Sequence, residues 1–222
     1  MTKNNIESIL KYRIKEPLNK STDTPTIFLL HGIGSNMDDL FSLNHFFADE
    51  WRIISFQAPI SLGFGGWAWA ELDLNNLRRY PKPEQRITSR NAIIKSIKTL
   101  KKKFNIKSKN SYLLGFSQGA AFTLFSGLTN PSEFNGLIAI CGFYKAEEDI
   151  KEIDIEKIKN LEIFVSNGTA DEVIPIHMGR MTNLGLKKVG LSHTYNEYDT
   201  GHTISNDCLN DILFWLQEKH QI

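Results

Sequence analysis

Ser117 lies between glycines in Gly115-Phe116-Ser117-Gln118-Gly119, at the end of the apolar run Tyr112-Leu113-Leu114 and directly before the helix-type stretch Ala120 to Phe125. A serine so spaced suits a sharp strand-to-helix turn that lifts its hydroxyl to the top of a sheet, with glycines where any side chain would strike a neighbouring strand or helix. The backbone N–H of Gln118 would then open the helix and face the point where negative charge develops on an attacked carbonyl. The chemistry this predicts is nucleophilic attack on an acyl carbon.

A serine hydroxyl is a weak nucleophile at neutral pH, so Ser117 requires a base, and the base an orienting carboxylate. On α/β-hydrolase scaffolds the three follow in the order Ser, acid, His. Among six histidines, His202 stands in Asp199-Thr200-Gly201-His202, after a strand-like segment and before the last helical one, which places it on a loop at the carboxyl edge of a sheet. His177, His193, His45 and His220 fall at a helix start, before a strand, in an apolar stretch and at the chain end. For the acid, Asp171 follows the small residues Gly168-Thr169-Ala170, where a chain leaving a strand can turn; Glu172 and Asp199 compete with it.

A second oxyanion donor is expected from the loop after an early strand, and Leu30-His31-Gly32-Ile33-Gly34 offers the amide of Ile33. No third glycine follows at dinucleotide-binding spacing and no phosphate-loop lysine is present, so a phosphate cradle is the weaker reading. His31 reads as a brace for this loop.

The elements that must carry these residues alternate. Leu10, Tyr12 and Ile14 interleave with charged residues, as in a half-buried edge strand. Thr26–Leu30, Arg52–Phe56, Leu137–Cys141 and Leu161–Val165 are short apolar runs of the kind covered on both faces. Helical spacing appears over Arg86–Phe104, Pro175–Lys188 and Ile204–His220, and Thr194–Tyr198 reads as a further strand. This βα alternation predicts a mostly parallel sheet with helices on both faces, within a single domain spanning residues 1–222. The irregular stretch from Ser61 to Pro83, rich in glycine and aromatic residues, reads as a functional loop. Phe64, Trp67 and Trp69 on it are expected to line an acyl pocket.

The 26 basic and 25 acidic residues leave a net charge of +1, which argues against nucleic acid as a partner. The lysines Lys101 to Lys103, Lys107 and Lys109 read as a solvated helix end. No apolar run of membrane-spanning or signal-peptide length occurs, and a cytoplasmic protein is expected. Cys141 and Cys208 sit in apolar segments as free thiols, without metal-ligand spacing.

Taken together, Leu30 to Gly34, Gly115 to Ala120, Gly168 to Asp171 with Val173 to Pro175, and Gly201-His202 resemble the phospholipase/carboxylesterase family of α/β-hydrolases, which includes acyl-protein thioesterases. The resemblance implies an α/β-hydrolase fold and a triad of Ser117, Asp171 and His202, with no metal or organic cofactor. The segment Trp67-Ala68-Trp69-Ala70-Glu71 departs from the tryptophan-phenylalanine-aspartate found in many members. The short stretch between Cys141 and Leu161 leaves no room for a large cap, implying an open site. The expected function is hydrolysis of carboxylic esters of short to medium acyl chains, on small molecules or an acylated protein. A lysophospholipase or acyl-protein thioesterase and a non-catalytic ligand-binding homologue are the alternatives.

Overall fold

The computed structural model describes residues 9–21, 23–71 and 81–220. In chain order the elements are β1 (Tyr12–Lys15), β2 (Thr26–Leu30), α1 (Met37–Phe41), β3 (Arg52–Phe56), β4 (Ile60–Gly63), β5 (Gly66–Ala68), α2 (Pro83–Phe104), β6 (Ser111–Phe116), α3 (Gln118–Thr129), β7 (Gly136–Ile140), α4 (Ile155–Ile158), β8 (Glu162–Gly168), α5 (Ile176–Lys188), β9 (Thr194–Tyr198) and α6 (Asn206–His220). Seven strands form one sheet in the order β1-β3-β2-β6-β7-β8-β9. Only the edge strand β1 is antiparallel, as its alternating pattern and short length allow.

Alternation along fully apolar strands puts a hydrophobic residue on each face. Phe28 and Leu30 of β2 join the core under α2, α3 and α5, with Ile93, Ile97, Phe125 and Leu186. Ile27 and Leu29 join the opposite core, with Leu40 of α1 and Ile212, Trp215 and Leu216 of α6. Each face therefore needs a helical cover, which is why the parallel sheet is sandwiched. The parallel register pairs Leu30 with both Phe56 and Gly115, Phe116 with Ile140, Ile140 with Ser166, and Gly168 with Tyr198. Every loop expected to carry chemistry thus leaves the same edge of the sheet.

Three features differ from the sequence reading. The stretch after β2 contains α1, a helix of only five residues; Asn36 caps it by accepting the Asp38 N–H at 2.9 Å, and two acidic residues fill its first turn. The loop beginning at Ser61 opens with a hairpin, β4 and β5, whose tip Phe64-Gly65 has φ of 49° and 82° at its two central residues. Positive φ at both positions matches the right-handed twist of the flanking strands. The Asn75-Asn76 pair of that loop, like the N-terminal residues 1–8, lies outside the described residues. Lastly, Lys101 is not solvated: it is buried, and its Nζ lies 2.8 Å from the Glu133 carboxylate and 2.8 Å from Ser108 Oγ. Lys107 and Lys109 pair with Asp23, so acidic partners offset the local positive charge.

Between β7 and β8 the chain makes only short 3-10 turns and the single-turn α4, leaving the carboxyl edge without a large cap. Cys141 and Cys208 are buried free thiols, as expected.

Candidate active site

Ser117 occupies the turn between β6 and α3 with φ 54° and ψ −117°, a conformation that L-residues rarely adopt. The turn survives because its surroundings fix it. The Ser117 N–H donates to Ile140 O at 2.9 Å, and the two flanking glycines have no room for a side chain. A Cβ on Gly115 would stand 2.2 Å from Gly119 O, and one on Gly119 would stand 2.0 Å from Leu30 O. The glycine spacing of the motif is therefore steric necessity.

Asp171 and His202 arrive from the far side of the sheet. The loops after β8 and β9 are tied together by Thr169 N–H to Tyr198 O (2.8 Å) and Ala170 N–H to Thr200 O (3.1 Å). Asp171 Oδ1 accepts the N–H groups of Val173 and Ile174, both at 2.8 Å, which orients its carboxylate. Its other oxygen lies 2.7 Å from His202 Nδ1, and His202 Nε2 lies 2.9 Å from Ser117 Oγ. A carboxylate only accepts, so Nδ1 carries the proton and Nε2 is left to accept from the serine hydroxyl. Hydroxyl, imidazole and carboxylate thus form one continuous hydrogen-bonded chain. The Asp171 side chain is wholly buried, whereas that of His202 keeps 19% of its surface exposed. The competing acids lie elsewhere: Glu172 is exposed, and Asp199 accepts from Thr169 Oγ1. His193 is held by Asn183 and Leu191, and His45 and His177 are exposed.

The loop of Ile33 passes close to the serine, since a Cβ on Gly32 would stand 3.4 Å from Ser117 Cβ, and Gln118 follows the serine directly in the chain. Ile33 and Gly34 are the central residues of a turn closed by Ser35 N–H to Gly32 O (3.3 Å), with Gly34 at φ 80°. Gln118 is the first residue of α3, where partial positive charge concentrates. Among the described residues, no backbone acceptor engages the amide of Ile33 or of Gln118.

The loop of Ile33 is braced by His31, as its residue type suggested. His31 is fully buried; its ring joins Gly32 O at 2.7 Å through Nδ1, and Nε2 accepts the Ala58 N–H at 3.1 Å. Since Nε2 accepts, the proton resides on Nδ1 and the ring is neutral. Burial holds its pKa below the usual histidine range. Gln57 adds a contact to Nε2 at 3.2 Å and accepts the Met37 N–H at 3.3 Å. Sequence reading missed Gln57, although its place just after β3, beside the end of β2, carried the signal.

The expected acyl-pocket residues separate into three fates. Trp69 does not line a pocket: it is fully buried in the core, and its indole N–H donates to His31 O at 2.8 Å. It lies just past the end of β5, where the chain has left the strand pattern and the ring enters the core, and burial suits its large apolar surface. Trp67 is half-buried, and its backbone exchanges hydrogen bonds with the Gly34-Ser35 turn: Gly34 N–H to Trp67 O at 2.9 Å and Trp67 N–H to Ser35 O at 2.8 Å. Phe64 projects fully into solvent at the hairpin tip.

Cys141 also approaches the site, its Sγ, an Asp171 oxygen and a His202 nitrogen all lying within 4.8 Å of one another. Burial, reinforced by the Asp171 charge, pushes the thiol up to about 12. Both Asp171 oxygens already accept, from Val173 and Ile174 N–H and from His202 Nδ1, while His202 Nε2 faces Ser117 Oγ, so this donor set is occupied by its own hydrogen bonds.

The model of the phospholipase/carboxylesterase family matches residues 12–220. The chain is 28% identical to acyl-protein thioesterase 1 of Candida albicans, over 92% of this chain and 96% of that one. It is also 28% identical to acyl-protein thioesterase 1 homolog 2 of Dictyostelium discoideum, over 81% and 90% of the two chains. Among solved structures, esterase PE8 superposes with a TM-score of 0.81 at 24% identity over 95% of this chain and 99% of that one. The Bacillus cereus carboxylesterase superposes with a TM-score of 0.81 at 16% identity over 96% of each chain. The fold is that of the α/β-hydrolases, and with its sequence matched almost from end to end, the chain belongs to the phospholipase/carboxylesterase family of serine hydrolases.

Proposed function

We propose that this single-domain hydrolase cleaves carboxylic ester or thioester bonds through an acyl-enzyme formed on Ser117. The observation that carries the reading is the continuous chain from Ser117 Oγ through His202 to Asp171, with links of 2.9 and 2.7 Å. His202 Nε2 takes the hydroxyl proton as Ser117 Oγ attacks the acyl carbon. The oxyanion is met by the Ile33 and Gln118 amides. The imidazolium, stabilised by the Asp171 carboxylate, returns the proton to the departing alcohol or thiol. Water then repeats the sequence: His202 accepts its proton, the hydroxide attacks the acyl carbon, and the ester to Ser117 breaks with proton return to Oγ. Every proton and electron pair is accommodated by residues of this chain. Labelling of Ser117 by a fluorophosphonate, absent in Ser117→Ala, tests the assignment; a wild-type protein that never labels would favour a non-catalytic binding role.

The expectation of short acyl chains rested on indoles filling the pocket, and Trp69 does not. A second reading gains support from the apolar side chains left exposed on loops at the carboxyl edge: Leu62 and Phe64 on the hairpin and Val173 beside Asp171. These suit a longer acyl chain carried by a protein, in keeping with the thioesterase names of the relatives. A series of acetyl to palmitoyl esters and thioesters separates the two. Preference for acetyl to hexanoyl supports the small-ester reading, and kcat/KM rising to sixteen carbons supports the thioesterase. No helix among the described residues is long and apolar enough to cross a membrane, and we infer a cytoplasmic setting.

A further inference from the structure

The Gln118 side chain reaches from α3 to the segment just after β5. Gln118 Oε1 accepts the Trp69 N–H at 2.7 Å, and Gln118 Nε2 donates to Ala70 O at 2.7 Å, so its carboxamide meets the Trp69-Ala70 segment as a neighbouring strand would. From the other side, the Trp69 indole N–H holds His31 O at 2.8 Å, and the ring packs against His31 and Phe122 with centroids 5.4 and 6.2 Å away. Ser89 Oγ on α2 fixes the Trp69 carbonyl at 2.5 Å. Trp69 therefore grips the Ile33 loop with its side chain and Gln118 with its backbone.

We propose that Trp69 and the Gln118 carboxamide form a clamp that sets the spacing between the Ile33 and Gln118 amides, making both positioning residues for acyl transfer. The inference rests on those amides being the oxyanion donors. Close packing of Gly119 on Leu30 closes the base of the gap, but Ile33 lies farther along a loop. Trp69 bridges that loop to Gln118. Donors act at full strength only when they stand about 2.7–3.1 Å from the developed oxyanion, and small misplacements cost up to about 100-fold in rate. A carboxamide supplies the required acceptor and donor together. Methionine supplies neither, and an ionised glutamate would set an oxygen against the Ala70 carbonyl.

The test compares Gln118→Met, Gln118→Glu and Trp69→Phe with wild type in p-nitrophenyl ester hydrolysis. It also measures inhibition by a trifluoromethyl ketone, which forms a tetrahedral adduct with a nucleophilic serine. Both Gln118 variants should lose about 10- to 100-fold in kcat with KM within about threefold. Affinity for the ketone should fall in parallel, as a transition-state effect demands. Trp69→Phe, which keeps most of the ring volume, should lose less in the same parameter. The double variant Gln118→Met/Trp69→Phe should lose less than the product of the single factors, because both cut one clamp. Gln118→Met with kcat and ketone affinity within twofold of wild type, or a loss confined to KM, would overturn the clamp while fluorophosphonate labelling of Ser117 still upheld the triad. Wild-type turnover in Ser117→Ala would instead overturn the underlying reading. Should the Gln118 variants fail to fold, Trp69→Phe decides by the same criteria.

Discussion

The elbow between β6 and α3 and the hairpin formed by β4 and β5 serve the same cleft but are held by different physics. At the elbow the demands fall on residues close together in sequence, even where the partner is distant: Ser117 at φ 54° with its N–H on Ile140 O, Gly115 against Gly119 O and Gly119 against Leu30 O, both too tight for a Cβ. The hairpin side depends on partners far away in the chain: Trp67 on Gly34 and Ser35, Trp69 on His31 and Gln118, Ala58 on His31. A local constraint restricts residue types at fixed spacing and so appears as a motif. A network of backbone groups bonded to distant side chains leaves no spacing to read.

The largest effect should come from the local half. Ser117→Ala should lower kcat/KM by on the order of 10⁵- to 10⁶-fold, about 7–8 kcal/mol of transition-state stabilisation, while the thermal midpoint moves by only a few degrees. The hydroxyl projects from the turn and contributes little packing. Equal turnover in the variant would remove Ser117 from the mechanism.

Asp171→Asn should come next, at roughly 10⁴-fold or about 5.5 kcal/mol, because an amide can turn its NH₂ toward Nδ1 and leave the proton on Nε2, where the serine needs an acceptor. Near-ultraviolet circular dichroism should remain that of wild type. A loss below tenfold would mean that the carboxylate does not select the tautomer.

This contrast explains how far the sequence could be read. The mostly parallel sheet, and loops that such a sheet sends to one edge with Ser117, Asp171 and His202 on them, follow from apolar runs and βα alternation, whereas the strand order was not read from the sequence. Misread was Trp69, an aromatic residue on an irregular glycine-rich stretch; glycine content marks a loop, but the tertiary contacts of Trp69 with His31 and Gln118 decide its burial. Lys101 misled for a similar reason, since a helix-end lysine is ordinarily solvated and only the fold brings Glu133 to it. Gln118 was legible for its backbone position alone, and the reach of its side chain to Trp69 required the tertiary structure.

The non-local half should reveal itself in stability. Trp69→Ala removes a fully buried indole and its bond to His31, and should cost about 3–5 kcal/mol. For a chain of this size that lowers the thermal midpoint by roughly 6–20 °C. The folded fraction at low temperature should show no shift of preference toward longer acyl chains. Such a shift without loss of stability would restore Trp69 to the pocket wall and erase the distinction between the two halves.

The smallest effect, and the one most specific to the hairpin side, is its response to acid. His31 is buried and neutral, with Nε2 facing the Ala58 N–H and the Gln57 carboxamide, so a proton added there would meet donors instead of an acceptor. Burial keeps its pKa low in the folded protein, whereas in the unfolded chain the ring gains a proton as pH falls through about 6.5. Over that interval the unfolded state binds more protons, so stability declines as pH drops from about 6.5 toward the lowered folded value, and this group contributes no further decline below it. His193, also lowered by burial, acts with the same sign. One such group gives a slope of at most about 1.4 kcal/mol per pH unit. Urea unfolding between pH 7.5 and 5.5 should show this decline, and His193→Gln should reduce it without abolishing it. His31→Gln should be less stable at neutral pH but lose its share of the slope, because the titrating ring is gone while the Ala58 and Gln57 contacts are disturbed at every pH. If wild-type stability stayed flat from pH 7.5 to 5.5, His31 would not be the neutral brace of the Ile33 loop. Acid would then have no route to loosen the oxyanion side ahead of the elbow.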